Sequence, residues 1–249
     1  KLVAAGALAL SAGAVQAAPV HVGGVIWDPD SGFDFTSNGQ LIEEQLNLVP
    51  GPDFNNVLSG FGVITGMNNT FVSTFCPGCE LTYEFGGYVV DSVIPGVGAE
   101  AELTFTGGWI NFYVDHTPDY DANSAATAGS QGGENALWLA LEGHDIGGGV
   151  TLEAELDSFG AGFDAGDGEG LLDVVGGLAE ENFDTDSQTD GADFVFSSSF
   201  QPLPQGATPE GYELFGTADL RGESIPVPAT ALLLGLGLLG MGAVRKRSK

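Results

Sequence analysis

The sequence predicts an all-β body, an antiparallel two-sheet sandwich of the jelly-roll kind. Three observations predict it. Residues 80–90 alternate Leu81, Tyr83 and Phe85 against Thr82 and Glu84, and residues 151–157 alternate Leu152, Ala154 and Leu156 against Glu153, Glu155 and Asp157. Period 2 over such a length marks a half-buried strand. Further short segments rich in Phe, Val, Ile, Leu and Trp recur along the chain, and 40 glycines without a Gly-X-Y period separate them, which excludes collagen and supplies turns.

In chain order, strands are expected at residues 22–27, 61–65, 80–90, 101–106, 109–114, 136–142, 151–157, 193–200 and 212–220. Gly86-Gly87, Gly107-Gly108, Gly132-Gly133 and Gly147-Gly148-Gly149 stand between them as turn signals. Two segments read as short helices, residues 41–48 (Leu41, Ile42 and Leu46 with Glu43-Glu44) and residues 171–182. Many short strands with Gly-rich connections favour two packed sheets. No repeat or linker divides residues 18–224, so they form one domain.

Charge separates that domain from the chain's two ends. Of six Lys+Arg, Lys1 opens the sequence and Arg245, Lys246, Arg247 and Lys249 close it. Residues 18–228 hold Arg221 against all 34 carboxylates, a formal charge of −33. Such a surface repels nucleic acid and anionic membranes, which both call for Lys and Arg. An apolar fraction of 43% argues against a disordered acidic segment.

Residues 1–17 read as an export signal: Lys1, a short apolar run, small residues, and Val15-Gln16-Ala17 as a small-x-small cleavage pattern for signal peptidase. Residues 225–249 combine Pro226, Val227, Pro228, Ala229 and Thr230 with an uncharged stretch to Val244 and the basic cluster. As a helix, residues 225–244 would extend about 30 Å, the thickness of a hydrocarbon core, with the basic end cytoplasmic. The membrane is then touched through this tail alone. Motif, apolar helix and basic cluster, in that order, resemble the PEP-CTERM sorting tail of bacterial envelope proteins, with Val227 where the name-giving Glu stands. Residues 107–115 and 191–196 also look like segments of such proteins. The resemblance implies processing by an exosortase and a Gram-negative organism that makes extracellular polysaccharide. It further implies a cell-surface or matrix location tied to biofilm.

Candidate chemistry in the body is sparse. Cys76 and Cys79 have the spacing of a redox pair or half a zinc site, but no second Cys pair completes a zinc site. In an exported chain a local disulfide closing a turn is the default reading, with a redox-active pair or free thiols as alternatives. Three acidic groups could hold calcium, which takes six to eight hard oxygens. They are Asp119, Asp121 and Asn123; Asp164, Asp167 and Glu169; and Asp184, Asp186, Asp190 and Asp193. None completes an EF-hand. His21, His116 and His144 lack partners at metal-ligand spacing, and no G-x-S-x-G elbow occurs. Trp27, Trp109, Trp138, Tyr113 and Tyr120 could stack on sugars or fill a core. The expectation is a non-enzymatic protein, with a calcium-dependent lectin-like or glycan-cleaving module as the alternative.

Overall fold

The computed structural model describes residues 18–31, 35–44, 46–159, 165–203 and 212–225. The export signal, the sorting motif from Pro226, the basic cluster and Asp164 lie outside the described residues.

Strands make up 56% of the structure and helix 9%, so the fold is all-β. Twelve strands form: β1 Val20–Val22, β2 Val25–Trp27, β3 Phe35–Glu43, β4 Val57–Met67, β5 Thr70–Phe71, β6 Glu80–Pro95, β7 Ala101–Asp115, β8 Ala136–Gly143, β9 Val150–Ser158, β10 Ala165–Gly176, β11 Phe194–Pro202 and β12 Leu214–Gly222. Among the described residues two single-turn α-helices, α1 Val72–Phe75 and α2 Glu180–Phe183, and three short 3-10 turns, Ala125–Thr127, Gln131–Gly133 and Thr189–Gly191, accompany them. Among the described residues no helix is long and apolar enough to cross a membrane.

The strands close into one barrel of eight staves, where the sequence predicts two facing sheets. β3, β4, β6 and β7 pair in succession, and β10, β11 and β12 continue round to β3, all antiparallel. The remaining stave is shared. β8 pairs residues 109–114 of β7 while β9 pairs residues 101–106 of the same strand, and β10 repeats the division on the other side. β8 and β9 therefore run the same way as one stave, interrupted by residues 144–149. An even number of antiparallel staves closes without leaving an edge, which removes the pairing hazard of an open sheet.

Alternation places Leu152, Ala154 and Leu156 of β9 inside and Glu153, Glu155 and Asp157 outside. Polar-out and apolar-in is the reverse of a lipid-facing barrel. The interior is filled by one continuous cluster that includes Ile64, Leu81, Tyr83, Phe85, Phe105, Phe112 and Leu141.

Several sequence expectations are corrected by this arrangement. Residues 41–48 are not a helix: Leu41, Ile42 and Glu43 end β3. Residues 171–176 continue β10, and only Glu180–Phe183 turn helically. Residues 22–27 form the β1–β2 hairpin about Gly23-Gly24. Gly86-Gly87 and Gly107-Gly108 are not turns either. They lie opposite each other inside β6 and β7, where positive φ at Gly87, Gly107 and Gly108 bends both strands together. A Cβ at Gly108 would collide with the ring of Tyr88, so the glycine also seats that ring. Bending at paired glycines is how a sheet curves enough to close.

One end of the barrel is plugged. Trp27 stacks on Phe183 at 5.1 Å and meets Trp138 edge-on at 5.7 Å, while Phe194 packs behind Phe183 at 5.4 Å. The Trp138 indole N–H donates to the Val22 carbonyl (3.1 Å), and the Trp27 indole N–H donates to Ser224 Oγ (3.1 Å). The first and last described stretches thus meet at the same end.

Candidate functional site

At the opposite end the interior holds a pocket between β3, β4, β6, β7, β9, β10, β11 and β12, walled by Leu58, Leu103, Phe105, Leu152, Phe159 and Phe200. Its space is about 650 Å³ with the open mouth included, of which about 40 Å³ admits the centre of a water-sized molecule. Beside the half-buried Glu44 and Ser198, two fully buried polar side chains interrupt the apolar wall. Glu43 is 3% exposed and Tyr88 is 2% exposed. Glu43 Oε1 and the Tyr88 hydroxyl are buried without a hydrogen-bond partner among the described residues. Strand parity explains Glu43: it follows Leu41 onto the inner face of β3, opposite Leu214 of β12 and Gly60 of β4. Burial raises its carboxyl from 4.5 to about 8. A carboxyl so placed is mostly protonated at neutral pH.

Sequence reasoning missed Glu43, because residues 41–48 read as a helix. The signal was present in Gly39-x-Leu41-x-Glu43, a period-2 run that aligns Glu43 with the core.

The predicted calcium groups are partly rearranged. Asp119 does not gather with Asp121 and Asn123. Its carboxylate lies with those of Glu80 and Asp115, with ligand atoms within 4.8 Å of one another. Glu80 accepts the backbone N–H groups of Asp119 and Tyr120 (both 2.9 Å), and Gln131 donates to Asp119 (2.9 Å). Burial raises the Glu80 carboxyl, with those backbone bonds opposing. Asp121 turns instead to Asn123, accepting its backbone N–H (2.9 Å) and side-chain amide (2.8 Å), which lowers the Asp121 pKa. This network fastens residues 116–135 over the outer face of β3 and β4, where Tyr120 and Ala128 cover Ile42 and Phe61.

Asp184, Asp186 and Asp193 do converge, again within 4.8 Å, while Asp190 is outside the group. Asp193 is 2% exposed. Its carboxylate accepts the N–H groups of Thr185 (2.6 Å), Asp186 (2.8 Å) and Val174 (2.7 Å), tying residues 184–193 to β10. Asp184 and Asp186 are exposed and present free faces to an incoming cation.

Asp167 and Glu169 join neither group. They stand on the outer face of β10 in rows of like charge across the sheet. Glu102, Glu155 and Asp167 are direct neighbours on β7, β9 and β10, and Glu153 faces Glu169. Ser197, Ser199, Thr217 and Asp219 continue the surface, which bounds a groove of about 1220 Å³ with its open side included. Like charges directly opposite on a sheet destabilise it.

Cys76 and Cys79 form a disulfide beneath the β1–β2 hairpin, at the C-terminal end of α1. That position lacks the helix N-terminus that activates a redox thiol. His144 bonds the Asp173 carboxylate at 2.8 Å and pins the break between β8 and β9. Trp27 and Trp138 are core residues, whereas Trp109 is 36% exposed. No family model matches the chain, and no curated protein or solved structure is significantly similar to it.

Proposed function

We propose that this chain is an exported, non-enzymatic protein of the cell surface or extracellular matrix. It associates with exopolysaccharide through divalent cations condensed on its carboxylate face. The observation that carries the reading is the pair of rows Glu102–Glu155–Asp167 and Glu153–Glu169. Such rows weaken the sheet that bears them, and a bound divalent ion turns the repulsion into attraction while leaving coordination sites for glycan oxygens. The PEP-CTERM-like tail supports sorting by an exosortase after signal peptidase has cut at Ala17. The disulfide suits an oxidising compartment. Co-sedimentation of the full chain with an anionic exopolysaccharide tests the association. Retention should require millimolar calcium and fall when Glu153, Glu155 and Glu169 are replaced by Gln. Calcium-independent retention, or turnover of a glycosidase substrate, would refute it. For the sorting step, mass spectrometry of the secreted form should find no peptide from residues 232–244.

A second reading, calcium-dependent glycan recognition at one defined site, is favoured by the convergence of Asp184, Asp186 and Asp193. It predicts a saturable melting shift with calcium at constant near-physiological NaCl, lost in the Asp184→Asn, Asp186→Asn double variant. An unchanged shift in that variant would remove it.

A further inference from the structure

We propose that the pocket walled by the described residues at this end of the barrel binds a small amine, its apolar body between the interior side chains and its ammonium on the Glu43 carboxylate, with the Tyr88 hydroxyl as second contact. Buried polar atoms in folded proteins are nearly always hydrogen-bonded, and an exception calls for an occupant. Here two exceptions line one pocket that is otherwise almost wholly apolar. An apolar cavity with a few polar groups is the usual form of a small-molecule site.

The charge of the occupant follows from what the pocket lacks. Among the described residues lining it, the titratable groups are Glu43, Glu44 and Tyr88, and none is Lys, Arg or His. Tyr83, on the same strand as Tyr88, also feels Glu43. Arg221 is exposed near the end of β12, toward the plugged end and away from Leu214, which pairs with Glu43. Among the described residues none offers Glu43 a countercharge, and once the carboxyl is ionised the ligand supplies it. Against the ionised carboxylate an alcohol satisfies the hydrogen bond alone, whereas an ammonium satisfies bond and charge together, a gain of roughly tenfold in affinity that emerges as pH rises through about 8. The acidic exterior concentrates cations at the mouth and repels carboxylates. At neutral pH the ammonium displaces the Glu43 proton, which leaves to solvent.

The space limits the body. By the volume that one water needs, about 10–15 Å³ in this measure, the inner cavity takes a slender alkyl or aryl group of a few heavy atoms, and a longer chain extends through the mouth.

Isothermal titration of the full chain with n-hexylammonium, n-hexanol and hexanoate tests the proposal. At about pH 9, where Glu43 is ionised and the amine is still an ammonium, the amine should bind at a single site about tenfold tighter than the alcohol, with hexanoate silent. At about pH 7 its heat should vary with the ionisation enthalpy of the buffer, because Glu43 releases a proton there. Glu43→Gln should erase the preference for amine over alcohol, and Tyr88→Phe should weaken both ligands. Glu181→Gln, exposed on α2 at the plugged end, should leave amine binding intact. Equal binding of hexanol and hexylammonium at about pH 9, amine binding unaffected by Glu43→Gln, or no binding by the amine would each overturn it. The near-isosteric Glu43→Gln carries the test even where Tyr88→Phe folds poorly.

Discussion

Replacing Glu43 by Gln should make the barrel more stable at neutral and alkaline pH while leaving it nearly unchanged in mild acid. Burial raises the folded carboxyl from 4.5 to about 8. Between those values the folded chain holds a proton that the unfolded chain releases, so stability falls as pH rises. The contribution is fully present below 4.5, is lost progressively towards about 8 and is constant beyond. At about 1.4 kcal/mol per pKa unit, the cost of Glu43 relative to an unshifted group is about 3 kcal/mol at pH 7. The same arithmetic gives a change of about 4 kcal/mol between roughly pH 5 and pH 9. Gln occupies the same volume, carries an amide with the same unmet bonding, and does not titrate. Urea unfolding of both proteins across that range isolates the term, because other carboxylates cancel in the difference. The expected difference curve is close to zero near pH 5 and rises to several kcal/mol at the alkaline end. A flat difference, within about 1 kcal/mol throughout, would refute the placement of Glu43 in an apolar interior.

Other perturbations address the frame. Trp27→Ala removes the stack on Phe183 and should cost about 3–5 kcal/mol in thermal unfolding, while Trp109→Ala, at a partly exposed site, should cost far less. A Cβ at Gly62 would meet the Gln40 carbonyl and the Tyr83 ring, so Gly62→Ala should destabilise by about 2 kcal/mol or more. Gly132→Ala, with open space around it and only its positive φ to strain it, should lose about 1–2 kcal/mol in the same denaturation series. Asp193→Ala strands the N–H groups of Val174, Thr185 and Asp186 and should cost about 3 kcal/mol or more by chemical denaturation.

The strands were largely legible because one wet face and one dry face leave a period-2 trace, clearest in β6 and β9. Legibility failed where both faces are covered. At the end of β3, Leu41 and Glu43 point inward while Ile42 is roofed by Tyr120 and Ala128, so the segment shows no alternation and imitates a helix. Paired glycines are ambiguous for a different reason. Positive φ serves a turn and a bent strand equally well, and only the facing of Gly86-Gly87 against Gly107-Gly108 distinguishes them. Barrel and sandwich share the same inside–outside pattern, and the closing ladder between β12 and β3 is a long-range choice that no local period records. The acidic groups illustrate the same limit. Asp184 and Asp186 are brought to Asp193 by a loop that Asp193 itself holds, whereas Asp119 is taken from its sequence neighbours by Glu80 and Asp115.

That closing ladder also fixes when the protein can finish folding. Phe35 to Glu43 pair with Leu214 to Gly222, so the last stave is made about 170 residues after the first. At synthesis speeds of about 5–20 residues per second, the interval is on the order of 10–35 s. Throughout it the nascent chain is at most a seven-stave sheet with two unpaired edges and an uncovered apolar face, the kind of surface that aggregates. A protein built this way depends on being kept extended until β12 has emerged. Its vulnerability lies in that waiting time rather than in the finished barrel.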